Sequence, residues 1–196
     1  AELENYMINV SNKIILINLS RKTLQTYLFI IISIFSMYLS GQDLPRNLTV
    51  EEQSRLHQIG INRTITDPPD SIIYTPAEFD TVAGIMFAWE AYSTLLTDLI
   101  KEVAEDDTAW VIVDNTSEQS SVSNTLSNAN VNMDHVVFQV IPTNSVWIRD
   151  YGPWWIIEPE NSRAIIDLVY NRPRPQDDAY PELAAEYFGV NYYGLD

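Results

Sequence analysis

Short apolar segments alternate with segments of helical periodicity through much of this chain. Val82 to Trp89 and Ala109 to Val113 are mainly apolar runs bounded by polar residues, which predicts two buried β-strands. Between them, Ser93 to Ala104 carries its apolar residues at the spacing of one helical face. Chains in which strands and helices alternate form α/β domains. The sequence therefore predicts the α/β class, with a mainly parallel or mixed sheet.

The alternation continues toward the C-terminus. We predict a surface helix over Ser117 to Ala129, capped by Ser117, and a third strand over Val136 to Ile141. A strand pair is predicted over Pro153 to Ile157 and Ala164 to Val169. The last predicted helix, Tyr180 to Phe188, begins near Pro181 and ends before Gly189. Upstream, Leu48 to Ile59 is predicted to form a short helix, because Thr49 and Glu52 have the spacing of a capping box.

The composition excludes several functional classes. The 196 residues carry 27 acidic and 11 basic side chains, for a net charge of −16. Nucleic acid is therefore not expected as a partner, and the charge is better suited to attracting a cationic ligand. They contain no cysteine, which excludes disulfides, thiolate metal sites and a cysteine nucleophile within them. His57 and His135 lack metal-ligand spacing, and the glycines form no phosphate-binding loop. No metal and no cofactor are expected.

The N-terminal 41 residues have the order of a secretory signal. Arg21 and Lys22 precede the uncharged run Thr26 to Leu39, and Ser40-Gly41 offers small residues for cleavage. We predict export and no stable membrane insertion after cleavage, with an uncleaved anchor as the alternative. The predicted organisation is a leader over 1–41, an N-terminal arm over 42–71 and a folded domain over 72–196.

Two motifs carry the candidate chemistry, and the first is Thr143 to Trp155, TNSVWIRDYGPWW. Pro153 lacks an amide hydrogen and restricts the residue before it, so this Gly-Pro pair is expected to end regular structure. Asp150 is therefore predicted to lie at the end of an extended segment, where its side chain can line a cleft. The alternative is that Asp150 caps a turn and the tryptophans fill a core.

The second motif is Tyr170 to Pro175, YNRPRP. Its prolines favour an extended backbone, on which Arg172 and Arg174, two residues apart, project from the same side. Arginine pairs bidentately with carboxylates, so this pair suits the recognition of an anion. The alternative is a solvated turn in which the two arginines balance Asp177 and Asp178.

Together with PAEFDTVAGIMFAWE, these motifs resemble the bacterial peptidylarginine deiminases, whose close relatives are the agmatine deiminases. The resemblance runs from about Thr75 to the C-terminus and implies a pentein-type fold, a five-bladed α/β propeller present here only in part. It implies that Asp150 holds a substrate guanidinium and that Trp147 packs against the substrate side chain. It also implies that Arg172 and Arg174 bind the α-carboxylate of a C-terminal arginine.

The resemblance also implies a reaction. A cysteine thiolate attacks the guanidinium carbon, ammonia leaves, and water hydrolyses the intermediate to a ureido product while a histidine moves the protons. The family's cysteine, catalytic histidine and second guanidinium-binding aspartate have no counterpart in this sequence. We therefore expect a fragment that is inactive by itself.

Three functions remain open from the sequence. The first is an exported bacterial deiminase, in the periplasm, at the cell surface or secreted, that converts arginine at peptide C-termini to citrulline. The second is an agmatine deiminase, which forms N-carbamoylputrescine on the way to putrescine; agmatine has no carboxylate for the arginine pair to bind. The third is a non-catalytic module that binds cationic peptides through Asp150 and the tryptophans.

Overall fold

The structure, a computed structural model, describes residues 3–10, 13–20, 47–61, 63–72, 74–77 and 79–195. The chain divides into two compact units, Ala1–Arg46 and Asn47–Asp196. In the first unit, β1 (Leu3–Val10) pairs antiparallel with β2 (Lys13–Ser20). The predicted signal run Thr26 to Leu39 lies outside the described residues. None of the helices described is long and apolar enough to cross a membrane.

The second unit contains the other strands and the α-helices that the structure describes. In chain order they are α1 (Val50–Ser54), β3 (Ile85–Ala88), α2 (Ser93–Asp106), β4 (Ala109–Val113), α3 (Thr116–Asn128), β5 (Val136–Val140), α4 (Ile148–Tyr151), β6 (Trp154–Ile157), β7 (Arg163–Leu168), α5 (Pro175–Phe188) and β8 (Asn191–Leu195). The predicted α/β class is therefore confirmed, and the partial pentein-type propeller remains an expectation.

The first sheet is parallel, in the order β3-β4-β5. Its central strand β4 buries both faces, which explains the uninterrupted apolar run that defines it in the sequence. Val111 and Val113 face a core formed with α2 and α3, where Leu96, Ile100 and Leu126 are almost fully buried. The carboxyl ends of the three strands lead into Glu90, Asp114 and the loop before α4, so polar residues gather at that edge of the sheet.

The second sheet is mixed, since β6 pairs antiparallel with β7, and β7 pairs parallel with β8. Helix α5 connects β7 to β8 and packs against the sheet through Tyr180, Ala184 and Ala185. Ile112 on β4 belongs to the same buried cluster, so the two sheets share a core around α5. This arrangement places the segments that precede α4 and α5 side by side.

Most predicted elements are confirmed, with four corrections. Helix α1 covers Val50–Ser54 and is followed by a separate 3-10 turn at Leu56–Gln58, whereas one helix was expected over Leu48 to Ile59. Helix α3 is capped by Asn115, whose side chain accepts from the Glu118 N–H at 3.0 Å, rather than by Ser117. Helix α5 begins at Pro175 rather than near Pro181, which lies within it. Strand β8 was not predicted, because NYYGL is short and follows directly on the helix-ending Gly189.

The N-terminal arm contacts the second sheet closely. The Arg63 guanidinium donates from Nη1 to the Leu195 carbonyl at 2.7 Å and from Nη2 to the Asp167 carbonyl at 2.6 Å. It also forms an ion pair with the Asp167 carboxylate at 3.1 Å, in which both side chains are 1% exposed. Gly194 makes this approach possible, since a Cβ there would lie 1.9 Å from the Thr64 carbonyl oxygen. The boundary predicted at residue 72 stays a prediction, but the arm is firmly attached.

Candidate active site

The first motif forms a single helical turn, α4, after the loop that leaves β5. Trp147 is its N-cap residue, and the Asp150 N–H donates to the Trp147 carbonyl at 2.8 Å. The prediction that Asp150 ends an extended segment is therefore wrong. Residues three apart on a helical turn are neighbours on one face. Trp147 and Asp150 are both exposed, and Trp147 keeps 37% of its surface accessible to solvent. The indole and the carboxylate are therefore presented together to solvent.

Asp177, at the start of α5, fixes the loop before α4. Its Oδ1 accepts from the Asn144 and Ser145 N–H groups at 2.6 and 3.0 Å, and its Oδ2 accepts from the Ser145 hydroxyl at 2.6 Å. Asp177 is fully buried, and burial raises its pKa to about 6 although these hydrogen bonds oppose the rise. Asp177 thus joins the two sequence motifs, whereas the sequence suggests for it only a charge that balances Arg172 and Arg174.

Buried tyrosines support α4 from beneath. Tyr151 packs edge to face against Tyr170 and Tyr180, with ring centroids 5.6 and 5.9 Å apart. The Tyr151 hydroxyl donates to the Ser145 carbonyl at 2.9 Å, and the Tyr180 hydroxyl donates to Gln139 Oε1 at 2.6 Å. Burial raises the pKa of both phenols well above its usual value, so they remain neutral donors near neutral pH. The side of α4 that carries Tyr151 is therefore packed and hydrogen-bonded to the core.

Tyr170 is within electrostatic reach of acidic and basic residues from both motifs. Burial raises its pKa; Arg174 and Arg172 act to lower it, whereas Asp177 and Asp150 act to raise it further. The Tyr170 hydroxyl also lies 3.5 Å from Arg174 Nη1. The structure therefore brings Asp150 and the arginine pair, 22 or more positions apart in the sequence, into one electrostatic neighbourhood.

The two arginines of the second motif meet a carboxylate that the sequence did not suggest for them. Arg174 Nε and Nη2 both lie 2.9 Å from Glu52 Oε1, and Arg172 Nη1 lies 3.6 Å from Glu52 Oε2. The prediction that both arginines project from the same side agrees with this geometry. Glu52 belongs to α1 in the N-terminal arm, where the predicted capping box with Thr49 is confirmed.

Glu52 is ionised in this setting. Burial by itself would raise its pKa, but the Thr49 N–H and the charges of Arg174 and Arg172 outweigh burial and hold the pKa below its usual value. The alternative in which the arginines balance Asp177 and Asp178 is correct only in small part. Arg174 does lower the pKa of Asp177, but the carboxylate that contacts both arginines is that of Glu52.

A second acidic group, absent from our sequence predictions, follows β3. Glu90 Oε1 accepts from the Thr143 hydroxyl at 2.9 Å, and Asp114 Oδ1 accepts from the Thr143 N–H at 3.2 Å. Burial raises the pKa of Glu90 to about 7; the Thr143 hydrogen bond opposes this, and nearby negative charges, first that of Asp114, add to it. Glu90 can therefore exchange a proton near neutral pH. The sequence did contain a signal for Glu90, because it follows closely on a buried parallel strand, and residues beyond the carboxyl ends of such strands commonly line binding sites.

We expect Glu90 to make the stability of the protein decrease as the pH rises. The folded protein holds the Glu90 proton with a pKa of about 7, against 4.5 for the ordinary group. Its contribution is thus fully present below about pH 4.5 and lost as the pH rises through about 7. Glu90→Gln should flatten this decline and stabilise the protein at pH 8 by on the order of 1 kcal/mol, a value reduced for partial exposure.

Urea denaturation between pH 4.5 and 8 measures this effect. Asp177 changes stability in the same direction, so the slope should decrease with Glu90→Gln rather than vanish. Glu105→Gln, which removes the same charge from an exposed position on α2, is the matched control and should leave the slope unchanged. Identical pH profiles for the Glu90 variant and the parent would contradict the assignment.

Within the part of the chain that the structure describes, no three His, Cys, Asp or Glu side chains are placed to hold a metal ion. A reaction without metal or cofactor remains a prediction. What the described residues do provide is a carboxylate and an indole for a planar cation, and two guanidinium groups for an anion. Such a site is suited to a small or peptide-borne guanidine.

Comparison with known proteins identifies the class as guanidine-modifying hydrolases. The family model for the Porphyromonas-type peptidyl-arginine deiminases matches residues 74–186, which is more than half of the chain and includes both motifs. The chain belongs to this family of deiminases. The resemblance inferred from the two motifs is thereby confirmed.

Individual relatives are more distant. A protein of Selenomonas ruminantium named "Putative agmatine deiminase" is 26% identical over an alignment of 109 residues, and the match covers 50% of this chain and 29% of that protein. The solved agmatine deiminase of C. jejuni is 21% identical, with a TM-score of 0.45, over 57% of this chain and 35% of its own. The chain thus spans about a third of the length of these relatives.

Proposed function

We propose that this protein acts as a deiminase on the guanidinium group of arginine at the C-terminus of a peptide. The observation that carries the proposal is the joint exposure of Trp147 and Asp150 on α4, together with an arginine pair whose charges, like that of Asp150, act on Tyr170. A C-terminal arginine has a cation at one end and a carboxylate at the other, which suits these two groups. Membership of the family supports the reaction.

The residues of this chain would bind and orient the substrate. A guanidinium is a planar cation with several N–H donors, so the Asp150 carboxylate can neutralise it and fix its plane. The Trp147 indole adds cation–π attraction and excludes water from one face of the cation. In the net reaction, water replaces one amino group as ammonia leaves, giving a ureido product. The thiolate nucleophile implied by the resemblance is not among these 196 residues.

Agmatine is the second candidate substrate, and one observation favours it. The Glu52 carboxylate already contacts both arginines, as a site for a substrate without a carboxylate would allow. The name of the Selenomonas relative points to the same substrate. Export, which is proposed from the N-terminal 41 residues, favours an extracellular peptide instead.

The two candidates differ in kinetics. With protein expressed from the intact gene, we expect kcat/KM to be at least about tenfold higher for a peptide ending in free arginine than for its amide, because only the free carboxylate can bind the arginine pair in place of Glu52. Ureido product is measured for both peptides and for agmatine. Preference for agmatine would select the second candidate, and binding without turnover would indicate a cationic-peptide binding module.

A further inference from the structure

Glu52 lies on the arginine pair in the way a substrate carboxylate would. One of its oxygens is 2.9 Å from Arg174 Nε and Nη2, and the other is 3.6 Å from Arg172 Nη1. The residue is 5% exposed, so it fills this position rather than touching its edge. A second carboxylate cannot make the same contacts while Glu52 remains there.

The helix that carries Glu52 is attached lightly. Helix α1 has five residues, and Glu52 is the one buried residue among them. Its capping box with Thr49 is local and would travel with the helix, because both partners belong to the same turn. If Glu52 leaves the arginine pair, α1 therefore loses little other buried surface. The arm remains attached further along the chain through Arg63 and Asp167.

We propose that Glu52 is a specificity-determining residue whose carboxylate competes with the substrate carboxylate for Arg172 and Arg174. The inference rests on the proposed function for its meaning in catalysis. A substrate with a free carboxylate must displace Glu52, whereas a substrate without one leaves Glu52 in place. The protein can then discriminate between guanidine substrates by how strongly the anionic end of each competes with Glu52 for the arginine pair.

The expected strength of this competition follows from the fact that Glu52 belongs to the same chain as the two arginines. A group held on the same chain acts at an effective concentration in the millimolar range or above. For a free carboxylate that competes with it, the apparent Kd is the intrinsic Kd divided by the fraction of sites that Glu52 leaves free. Because both oxygens of Glu52 contact the pair, we expect its removal to tighten carboxylate binding at least about tenfold.

A carboxylate probe without a guanidinium isolates this competition. We expect N-acetylglycine to shift the guanidinium Nε–H signal of Arg174, followed by ¹⁵N NMR in the full 196-residue chain. In Glu52→Gln the half-saturating concentration should fall at least about tenfold. Glu51→Gln is the matched control, since Glu51 is exposed on the same helix and pairs with Arg55 at 3.5 Å. It should behave like the parent.

Two further measurements keep the result decisive. In the parent chain, saturating N-acetylglycine should also shift the α1 amide signals, because Glu52 has to leave; bound probe without that shift would overturn the inference. If Glu52→Gln does not fold, Glu52→Asp keeps the charge and shortens the reach, and should respond in the same direction. An unchanged or weaker affinity in a folded variant would mean that Glu52 only orients the arginines.

The proposed function is tested separately with N-acetylarginine amide, which has a guanidinium and no carboxylate. Its binding should depend on Asp150 and be the same in the Glu52 variant and the parent. Failure of this probe with success of N-acetylglycine would refute the guanidine site alone. The reverse pattern would refute the role of Glu52 alone.

Discussion

Asp150→Asn should lower kcat/KM for an arginine substrate at least about thirtyfold while leaving the stability of the fold unchanged. Asparagine keeps the shape of the side chain and removes the charge that pairs with the guanidinium. Leaving such a cation unpaired typically costs roughly 2–5 kcal/mol, and each factor of ten in rate corresponds to about 1.4 kcal/mol. Because Asp150 is exposed on α4, folding does not depend on its charge.

The measurement is steady-state kinetics on protein from the intact gene, together with a thermal melt. The loss should be similar for agmatine and for a C-terminal arginine peptide, since both present the same guanidinium to Asp150. Asp134→Asn, the same change at an exposed turn residue, is the control and should retain full activity. Near-normal turnover by the Asp150 variant would reduce Asp150 to an ordinary surface residue of α4.

The fold was predictable where local signals were strong. The limits predicted for β4 are those observed, because a strand buried on both faces reads as an uninterrupted apolar run. Gly189 ends α5 at φ of 65°, which a glycine adopts without steric cost. The Thr49 and Glu52 capping box was also predicted correctly, since both partners lie within one turn.

The limits of sequence reasoning appear at α4. Gly152 and Pro153 correctly mark an end of regular structure, but they do not say whether a helix or a strand comes before them. The turn is held by contacts from elsewhere in the chain, through Asp177 on α5 and Tyr170. Tertiary contacts of this kind leave no periodicity in the sequence, so Asp150 was assigned to the wrong backbone conformation.

The partner of the arginine pair was not predictable for a related reason. Glu52 and Arg174 are 122 positions apart, and nothing local connects them. The capping box nevertheless contained a partial signal. It uses Glu52 Oε2 for the Thr49 N–H and leaves Oε1 available, and a carboxylate oxygen that becomes buried requires a donor. Arginine supplies that donor here.

The last prediction concerns Asp177, on which the position of α4 depends. Asp177→Ala would remove the acceptors of three hydrogen bonds, which leaves the Ser145 N–H and hydroxyl unpaired in a buried site and the Asn144 N–H unpaired in a partly buried one. Stranded buried donors cost about 1–3 kcal/mol each, and relaxation of the loop recovers part of this. We expect a loss of about 2–4 kcal/mol in the free energy of unfolding, which corresponds to about 5–15 °C in Tm for a chain of this size.

Two matched variants separate this role from a general effect of mutating α5. Asp177→Asn keeps an acceptor for both N–H groups and removes a charge that burial disfavours, so it should cost less than about 1 kcal/mol. Gln176→Ala removes the exposed side-chain hydrogen bond that Gln176 Oε1 accepts from Asn144 and should also change little, because an exposed group exchanges a protein partner for water. Urea denaturation of all three variants ranks them, and kcat/KM should follow the same order, because the loop that Asp177 holds presents Trp147 and Asp150. Equal stability of the alanine and asparagine variants would mean that the three hydrogen bonds do not hold the loop.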